Sequence, residues 1–127
     1  MMDWKEKYIR QFCESEITQE KTNSLIQEFV DELNNILKKY YINGKEVSFN
    51  REEKRIVFPD CFIVYSIKNG KLEFNNLNPN SVMKDSCSLS FIDGVYVFNN
   101  AKRENEYFVE YNKDVIDRIM KYLLRDE

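Results

Sequence analysis

At 127 residues, with 43% hydrophobic residues and only three glycines and two prolines, the chain has the size and composition of one packed globular domain, residues 1–127. A net charge of −3 gives no general attraction to phosphate backbones or anionic membranes, which disfavours nucleic acid as a partner. No apolar run approaches the ~20 residues of a membrane span and the N-terminus lacks a signal peptide's apolar region, so we expect a cytoplasmic protein without membrane association.

The first predicted element is a short amphipathic helix at the N-terminus. Its large apolar residues recur at helical spacing, at Trp4, Tyr8, Ile9 and Phe12. A helix with one apolar side usually covers the core of its own domain, and that is the interpretation we adopt. An arm that binds a partner is the alternative.

A long amphipathic helix is predicted from Thr18 to about Tyr40, because apolar residues follow the i, i+3, i+4, i+7 pattern there. These residues are Leu25, Ile26, Phe29, Val30, Leu33, Ile36, Leu37 and Tyr40. Asn43-Gly44 should end the helix, with the glycine as its left-handed cap. At about 1.5 Å per residue the helix is longer than a typical strand, so it should cross the sheet diagonally or overhang it.

The strongest local signal is Asn69-Gly70, a dipeptide that tolerates the positive φ angles of a type I′ turn between two strands. A two-residue loop pairs Lys68 with Lys71 and, three steps on, Tyr65 with Phe74. One face of this hairpin is then apolar and carries Ile63, Tyr65, Ile67, Leu72 and Phe74. The turn chemistry and the alternation of apolar residues therefore predict the same register.

Two strands are predicted before this hairpin. The segment Phe58-Pro59-Asp60-Cys61 has the composition of a tight turn, which sets Ile56 opposite Ile63. A turn centred on Glu52-Glu53 adds a further strand and completes a four-strand meander. The alternative is a single strand kinked at the proline, which would move Phe62 to the face of Ile56.

A second hairpin is predicted after a loop at Leu77–Ser81. Asp93-Gly94 is again a type I′ signature, and it pairs Ile92 with Val95 and Phe91 with Tyr96. The inward face of this hairpin carries Cys87, Leu89, Phe91, Tyr96 and Phe98.

The last predicted strand runs from Glu106 to Tyr111, with Tyr107, Val109 and Tyr111 on one side, and Asn112 then caps a closing helix. The apolar stripe of that helix is Val115, Ile116, Ile119, Met120, Leu123 and Leu124. Strands bracketed by helices predict an α+β fold. We expect an antiparallel meander of about six to seven strands, with the long helix and the C-terminal helix packed on one face.

Residues suited to catalysis are scarce. The chain has no histidine, its three glycines lie singly, and its three cysteines form no C-x-x-C pair. The remaining candidates are carboxylates: Glu52, Glu53, Asp60, Asp85, Asp114 and Asp117. Each of them also has a structural interpretation, as part of a turn, a helix cap or a solvated surface. Cys61 is predicted on the core face, where a thiol behaves as a small hydrophobe. We therefore predict no catalytic, cofactor-binding or metal site.

The outward positions of the predicted sheet carry apolar residues on a polar background. These positions are Val57, Phe62, Val64, Leu77, Ile92, Val95 and Val97. Together they could exceed the few hundred Å² of apolar patch that a monomer surface usually shows. Two readings stay open: the patch is a partner interface, or the N-terminal helix covers it.

The sequence therefore predicts a non-enzymatic protein-interaction domain, in the class of small inhibitor, immunity or regulatory proteins. Its partner would be another protein or a second copy of the chain in a homodimer. Abundant asparagine, lysine and isoleucine are typical of an AT-rich genome, which fits a bacterial or phage origin. In a homodimer, Phe62→Glu would separate the subunits and leave the fold intact.

Two other functions are weighed against this one. A small-ligand or enzymatic pocket could lie between the long helix and the sheet, lined by Tyr65, Phe74, Phe91 and Tyr96, with Cys61 at its mouth. A single-strand nucleic-acid site could use the basic residues Lys38, Lys39, Arg51, Lys54 and Arg55. Neighbouring glutamates dilute that basic cluster, and an ordinary mixed-charge turn is its plainer interpretation.

Overall fold

Three helices and seven strands are present in the computed structural model, which describes residues 3–100, 102 and 105–125. The helices are α1 (Trp4–Arg10), α2 (Gln19–Lys39) and α3 (Lys113–Arg125). The strands are β1 (Ser48–Asn50), β2 (Arg55–Val57), β3 (Phe62–Lys68), β4 (Lys71–Leu77), β5 (Met83–Ile92), β6 (Val95–Asn100) and β7 (Asn105–Phe108).

The strands form one antiparallel sheet in which each strand pairs with its neighbour in sequence, from β1 to β7. The two type I′ turns set the predicted register, since Lys68 pairs with Lys71 and Ile92 pairs with Val95. Helices α2 and α3 contact each other and pack on the same side of the sheet. The predicted α+β meander is confirmed. Within the described part of the chain, no helix combines the length and the apolarity needed to cross a membrane.

The tight turn at Pro59 is confirmed, because the Phe58 amide donates a hydrogen bond to the Cys61 carbonyl at 2.8 Å. Ile56 therefore pairs with Ile63, and both side chains point into the core with no exposed surface. The alternative of one strand kinked at the proline is wrong, because Phe62 lies on the opposite face from Ile56.

The core lies between the inner face of the sheet and the two long helices. Its fully buried side chains come from both layers and include Ile26, Ile56, Ile63, Leu72, Phe74, Leu89, Phe98, Ile116 and Ile119. Removing one such side chain from water contributes roughly 1.5–3 kcal/mol. The inward-facing apolar residues of the strands therefore form one side of the core, and the apolar stripes of α2 and α3 form the other.

Tyrosine hydroxyls tie the helices to the rest of this core. The Tyr111 hydroxyl and Thr22 Oγ1 of α2 lie 2.5 Å apart, and the Tyr65 hydroxyl of β3 donates a hydrogen bond to Asn23 Oδ1. The Tyr122 hydroxyl of α3 donates to the Asp85 carboxylate at 2.9 Å. Each bond satisfies a polar group that burial would otherwise penalise, so the helices have a specific position on the sheet.

The two long helices begin as predicted, and one of them ends differently. Thr18 caps α2 by accepting a hydrogen bond from the Lys21 amide at 3.1 Å, and Asn112 Oδ1 accepts from the Asp114 amide at 3.1 Å before α3. The expected left-handed cap at Gly44 is wrong. Tyr41, at φ 57°, takes that conformation instead, directly after the end of α2.

The last strand is shorter than predicted, because β7 ends at Phe108 and the chain leaves the sheet at Val109. Tyr107, Val109 and Tyr111 consequently do not share a side. Tyr107 is 66% exposed on the outer face, whereas Tyr111 is 1% exposed and contacts Thr22 in the core. Alternation stops wherever strand pairing stops, which is why this prediction was wrong.

Candidate functional site

The face of the sheet opposite α2 and α3 is the outer face. Strand positions next to fully buried residues point there, as Val57 does beside Ile56. All seven predicted interaction residues lie on this face, and each is exposed or half-buried. The register therefore brings them to one side of the sheet, and the structure divides them into two groups.

The first group, the β2–β4 patch, consists of Val57, Phe62, Val64 and Leu77. The predicted pairs are present, because Phe62 lies opposite Val57 on one side and opposite Leu77 on the other. Val57 is 43% exposed, and the other three residues are half-buried. The Arg55 guanidinium lies 4.8 Å from the centre of the Phe62 ring and covers part of it. The apolar surface of this patch is therefore small.

A polar strip separates this patch from the second group. Its side chains line an open cleft of about 290 Å³ in the middle of the outer face and are those of Lys71, Glu73, Asn75, Ser86, Ser88 and Asn99. The Lys71 ammonium lies 3.9 Å from the Glu73 carboxylate. The seven predicted interaction residues thus do not form one continuous apolar surface.

The second group, the β5–β7 patch, consists of Ile92, Val95, Val97 and Tyr107. Ile92 lies opposite Val95, and Val97 lies opposite Tyr107. Together with Lys7, Asp93 and Asn105 these residues line a groove of about 580 Å³. The groove is the more apolar of the two clefts described on the outer face, because three of its side chains are aliphatic and one is aromatic.

Helix α1 extends this second patch. A second groove, of about 520 Å³, lies between the β5–β6 turn and the helix residues Trp4, Lys7 and Tyr8. Lys7, Asp93 and Val95 line both grooves, so the two are continuous. Phe12 follows the end of α1 and its ring centre lies 5.3 Å from that of Tyr8. The α1 surface, defined here as Trp4, Tyr8 and Ile9 with the adjoining Phe12, and the β5–β7 patch therefore form one region of the molecule.

The interpretation of α1 as a helix that covers the core is wrong. None of its seven residues is buried, and Trp4 and Tyr8 are 73% and 56% exposed. The helix also leaves the β2–β4 patch uncovered, because Val57 stays exposed there. Spacing alone could not separate these outcomes, because a helical apolar stripe has the same pattern whether its own domain or a partner covers it.

Helix α1 is held by its last turn. Arg10 Nε donates a hydrogen bond to the Gly94 carbonyl at 3.0 Å, and Arg10 Nη2 donates to the Val109 carbonyl. A Cβ at Gly94 would lie 2.2 Å from the Arg10 carbonyl oxygen, so only glycine permits this approach. The anchor uses the backbone and one guanidinium, and it leaves the apolar side chains of α1 in solvent.

Three of the four residues predicted to line a ligand space between α2 and the sheet are buried in the core. Tyr65, Phe74 and Tyr96 are buried, and the Tyr65 and Phe74 ring centres lie 6.0 Å apart. Phe91 packs on Tyr96 at 4.7 Å, and both rings line a cleft of about 410 Å³ beside the N-terminal segment. That cleft therefore includes two of the four predicted lining residues, and its other walls come from the first turn of α2 and from residues 109–112.

The acidic candidates for catalysis fall at separate places on the surface, and Asp114 and Asp117 of α3 line a small cleft of about 150 Å³ together with Glu32 of α2. Glu52, Glu53, Asp60, Asp114 and Asp117 are exposed, and the Asp85 carboxylate is occupied by the Tyr122 hydroxyl and the Ser86 amide. No three or more cysteine, aspartate or glutamate side chains of the described residues are grouped in a way that could hold a metal ion.

The two core thiols are poor nucleophiles. Burial, and after it the Asp60 carboxylate, raises the pKa of Cys61 to about 11. Burial and then Asp85 raise the pKa of Cys87 to about 12. Both thiols are therefore protonated at neutral pH, and nucleophilic attack requires the thiolate. Cys61 lies on the core face, as predicted.

The basic turn is a region of mixed charge. Arg55 lies 3.8 Å from the Glu53 carboxylate and also covers the Phe62 ring, while Lys39 lies 5.7 Å from the Tyr40 ring centre. Glu52 and Glu53 are exposed within the same turn. The geometry gathers no row of cations with aromatic platforms, which a single-strand site would use.

Tyr107 was not predicted on the outer face, and partner binding by α1 was predicted only as the alternative interpretation. The signal for α1 is its length, because a helix of about seven residues is too short to be stable without docking. The signal for Tyr107 is strand pairing, because it lies opposite Val97 and opposed residues share a face.

No family model, no curated protein and no solved structure matches this chain.

Proposed function

We propose that this chain is a non-enzymatic protein-interaction domain, in the class of small inhibitor, immunity or regulatory proteins. Its binding surface is the region made by α1 and the β5–β7 patch. The observation that carries this proposal is the exposure of three aromatic side chains in this region. Trp4, Tyr8 and Tyr107 are each more than half exposed. Aromatic residues of this kind supply most of the energy in protein interfaces.

The arrangement of the surface also supports binding. Large apolar patches are rare on monomer surfaces and mark interaction sites when polar residues surround them. Here the polar strip bounds the region on one side, and Lys7, Asp93 and Asn105 lie among the apolar residues. An apolar centre with a polar rim is the usual organisation of a protein interface.

The chemistry of the chain supports a function without catalysis. The buried thiols have raised pKa values, Asp85 is already hydrogen-bonded, and the carboxylates of Asp114 and Asp117 lie exposed beside Lys113. The three cysteines are free thiols, two of them in the core. Unpaired cysteines are typical of a reducing compartment, and we place the interaction in the cytoplasm on that basis.

The proposal is tested by capture experiments with matched variants. Ile92→Glu changes an exposed aliphatic residue of the β5–β7 patch, and Val57→Glu makes the same change in the β2–β4 patch. Both residues lie next to strand ends on the outer face, so both variants should fold like the wild type. Proteins retained by wild type and by Val57→Glu but lost with Ile92→Glu are the expected result.

The opposite pattern, or equal capture by all three proteins, contradicts the proposed surface. Turnover of a small molecule by a chain that retains no protein, its own copy included, contradicts the proposed class. Circular dichroism on each variant must show an unchanged fold for either comparison to count.

A further inference from the structure

We infer that the partner is a second copy of this chain, with α1 of each copy lying in the groove beside β6 and β7 of the other. This inference rests on the proposed function and names its partner. Four features of the same region support it: shape, area, charge and the short length of α1.

The shape of the region is self-complementary. It carries a projecting helix with Trp4 and Tyr8, and beside that helix a groove lined by Ile92, Val97 and Tyr107. A two-fold axis between the helix and the groove places α1 of each copy in the groove of the other copy, so the dimer contains two equivalent helix–groove contacts. Such an isologous contact is the commonest arrangement among small homo-oligomers.

The apolar area is sufficient for a stable dimer. A whole aromatic side chain offers roughly 150–250 Å², so the exposed fractions of Trp4, Tyr8, Phe12 and Tyr107 provide on the order of 500 Å². Ile9 and Ile92 add to this surface and bring it toward the ~800 Å² per subunit of a standard interface. The β2–β4 patch offers much less, because three of its four residues are half-buried.

The charges in the groove suit two copies. Lys7 and Asp93 line both grooves, carry opposite charges, and belong to no ion pair among the described residues. The same two-fold axis sets Lys7 of one copy near Asp93 of the other, and this pairing also occurs twice. Each charge therefore has a partner of opposite sign when the surrounding apolar residues are desolvated in the dimer.

Helix α1 itself gains from the contact. It has seven residues, is capped by Asp3, and buries none of its side chains within its own chain. Isolated helices of this length are marginal in water. A second copy supplies the apolar surface against which the exposed stripe of α1 packs.

Trp4 is the only tryptophan of the chain and reports this contact directly. Light scattering should give twice the chain mass of 15.4 kDa, and dilution should return the monomer. Over the same concentrations Trp4 emission should shift from the wavelength of a solvent-exposed indole to that of a buried one. Acrylamide quenching should fall in parallel.

Variants locate the contact. Ile92→Glu introduces an unpaired carboxylate and should raise the dimer Kd at least ~100-fold. Val57→Glu is the matched control and should leave the Kd unchanged. Tyr8→Ser is a second test, and since no residue of α1 is buried, its effect on the Kd does not depend on the stability of the fold.

Three results would overturn the inference. One is a wild-type chain that stays monomeric up to roughly 100 µM with solvent-exposed Trp4 emission. The second is a dimer that Val57→Glu separates and Ile92→Glu does not. The third is a dimer that Tyr8→Ser leaves intact. A monomer that still retains another protein only when Ile92 is unchanged refutes the second copy alone, whereas a monomer that retains nothing refutes the proposed function as well.

Discussion

The two faces of the sheet use neighbouring residues of the same strands and differ in what covers them. On the inner face Ile56, Ile63 and Phe74 have no exposed surface, because α2 and α3 pack over them. On the outer face Val57, Ile92 and Tyr107 are 43%, 54% and 66% exposed. Apolar residues occur on both faces, so composition alone does not distinguish the core from the exposed outer face.

The two faces contribute differently to the free energy of folding. Burial on the inner face stabilises the fold at about 25 cal/mol for each Å² removed from water. The outer apolar residues leave most of this contribution unrealised in the single chain, and on the proposed function a partner covers them. Substitutions should therefore change stability on the inner face and association on the outer face.

The largest expected effect on stability comes from Phe74→Ala on the inner face. Phe74 is fully buried and packs against Tyr65, so the substitution leaves a cavity and should lower the free energy of unfolding by about 3–5 kcal/mol. Urea denaturation followed by circular dichroism measures this change.

Phe62→Ala on the adjacent strand is the matched control. The Phe62 ring is half-buried beside Val57, Leu77 and Arg55, so its removal uncovers less apolar surface than the removal of Phe74, and we expect a cost of about 1 kcal/mol. Equal costs at both positions would mean that the two faces are not divided as described.

Alkaline pH should weaken the inner face next. Cys87 has a folded-state pKa of about 12, above the ordinary value of 9.0 that it regains on unfolding. Below pH 9 the thiol is neutral in both states, and its contribution to stability is complete. Above pH 9 only the unfolded chain releases the proton, so stability should fall by up to about 1.4 kcal/mol per pH unit until the folded-state pKa is reached.

Urea denaturation at several pH values between 9 and 10 measures this slope. Cys87→Ala should reduce the slope, and the part that remains comes from Cys61, whose pKa is about 11, and from Tyr65, Tyr96 and Tyr111, whose pKa values burial raises. The same slope in the wild type and in Cys87→Ala would show that the Cys87 thiol is not protected by the inner face.

The smallest expected effect concerns the anchor of α1. Gly94 and Gly70 occupy equivalent turn positions with φ of +77° and +74°, so alanine at either one should cost about 1 kcal/mol of backbone strain. At Gly94 the new Cβ also meets the Arg10 carbonyl, whereas at Gly70 nothing lies within 4 Å.

Gly94→Ala should therefore cost about 1 kcal/mol more than Gly70→Ala and release α1 from the sheet. Fluorescence anisotropy of Trp4, measured on dilute monomer, should fall in the Gly94 variant alone. A fall of the same size in both variants would mean that the Arg10 contact does not hold the helix.

The turns and the strand register were determined by the sequence. Asn69-Gly70 and Asp93-Gly94 admit few backbone conformations other than a type I′ turn, and a two-residue loop leaves one register in which apolar residues share a face. The caps at Thr18 and Asn112 and the stripe of α3 are equally local, since each depends on residues within one or two helical turns.

Only the tertiary structure decided which apolar residues stay exposed. The pattern of Trp4, Tyr8 and Phe12 predicts a helix but not its neighbour, and the neighbour is the β5–β6 turn, reached through Arg10 and Gly94 far along the chain. In a continuous strand Tyr107 and Tyr111, four residues apart, would lie on the same face. Tyr107 is exposed and Tyr111 is buried because strand pairing ends between them. Local sequence patterns indicate which residues can share a surface. Whether that surface is buried depends on contacts between distant parts of the chain.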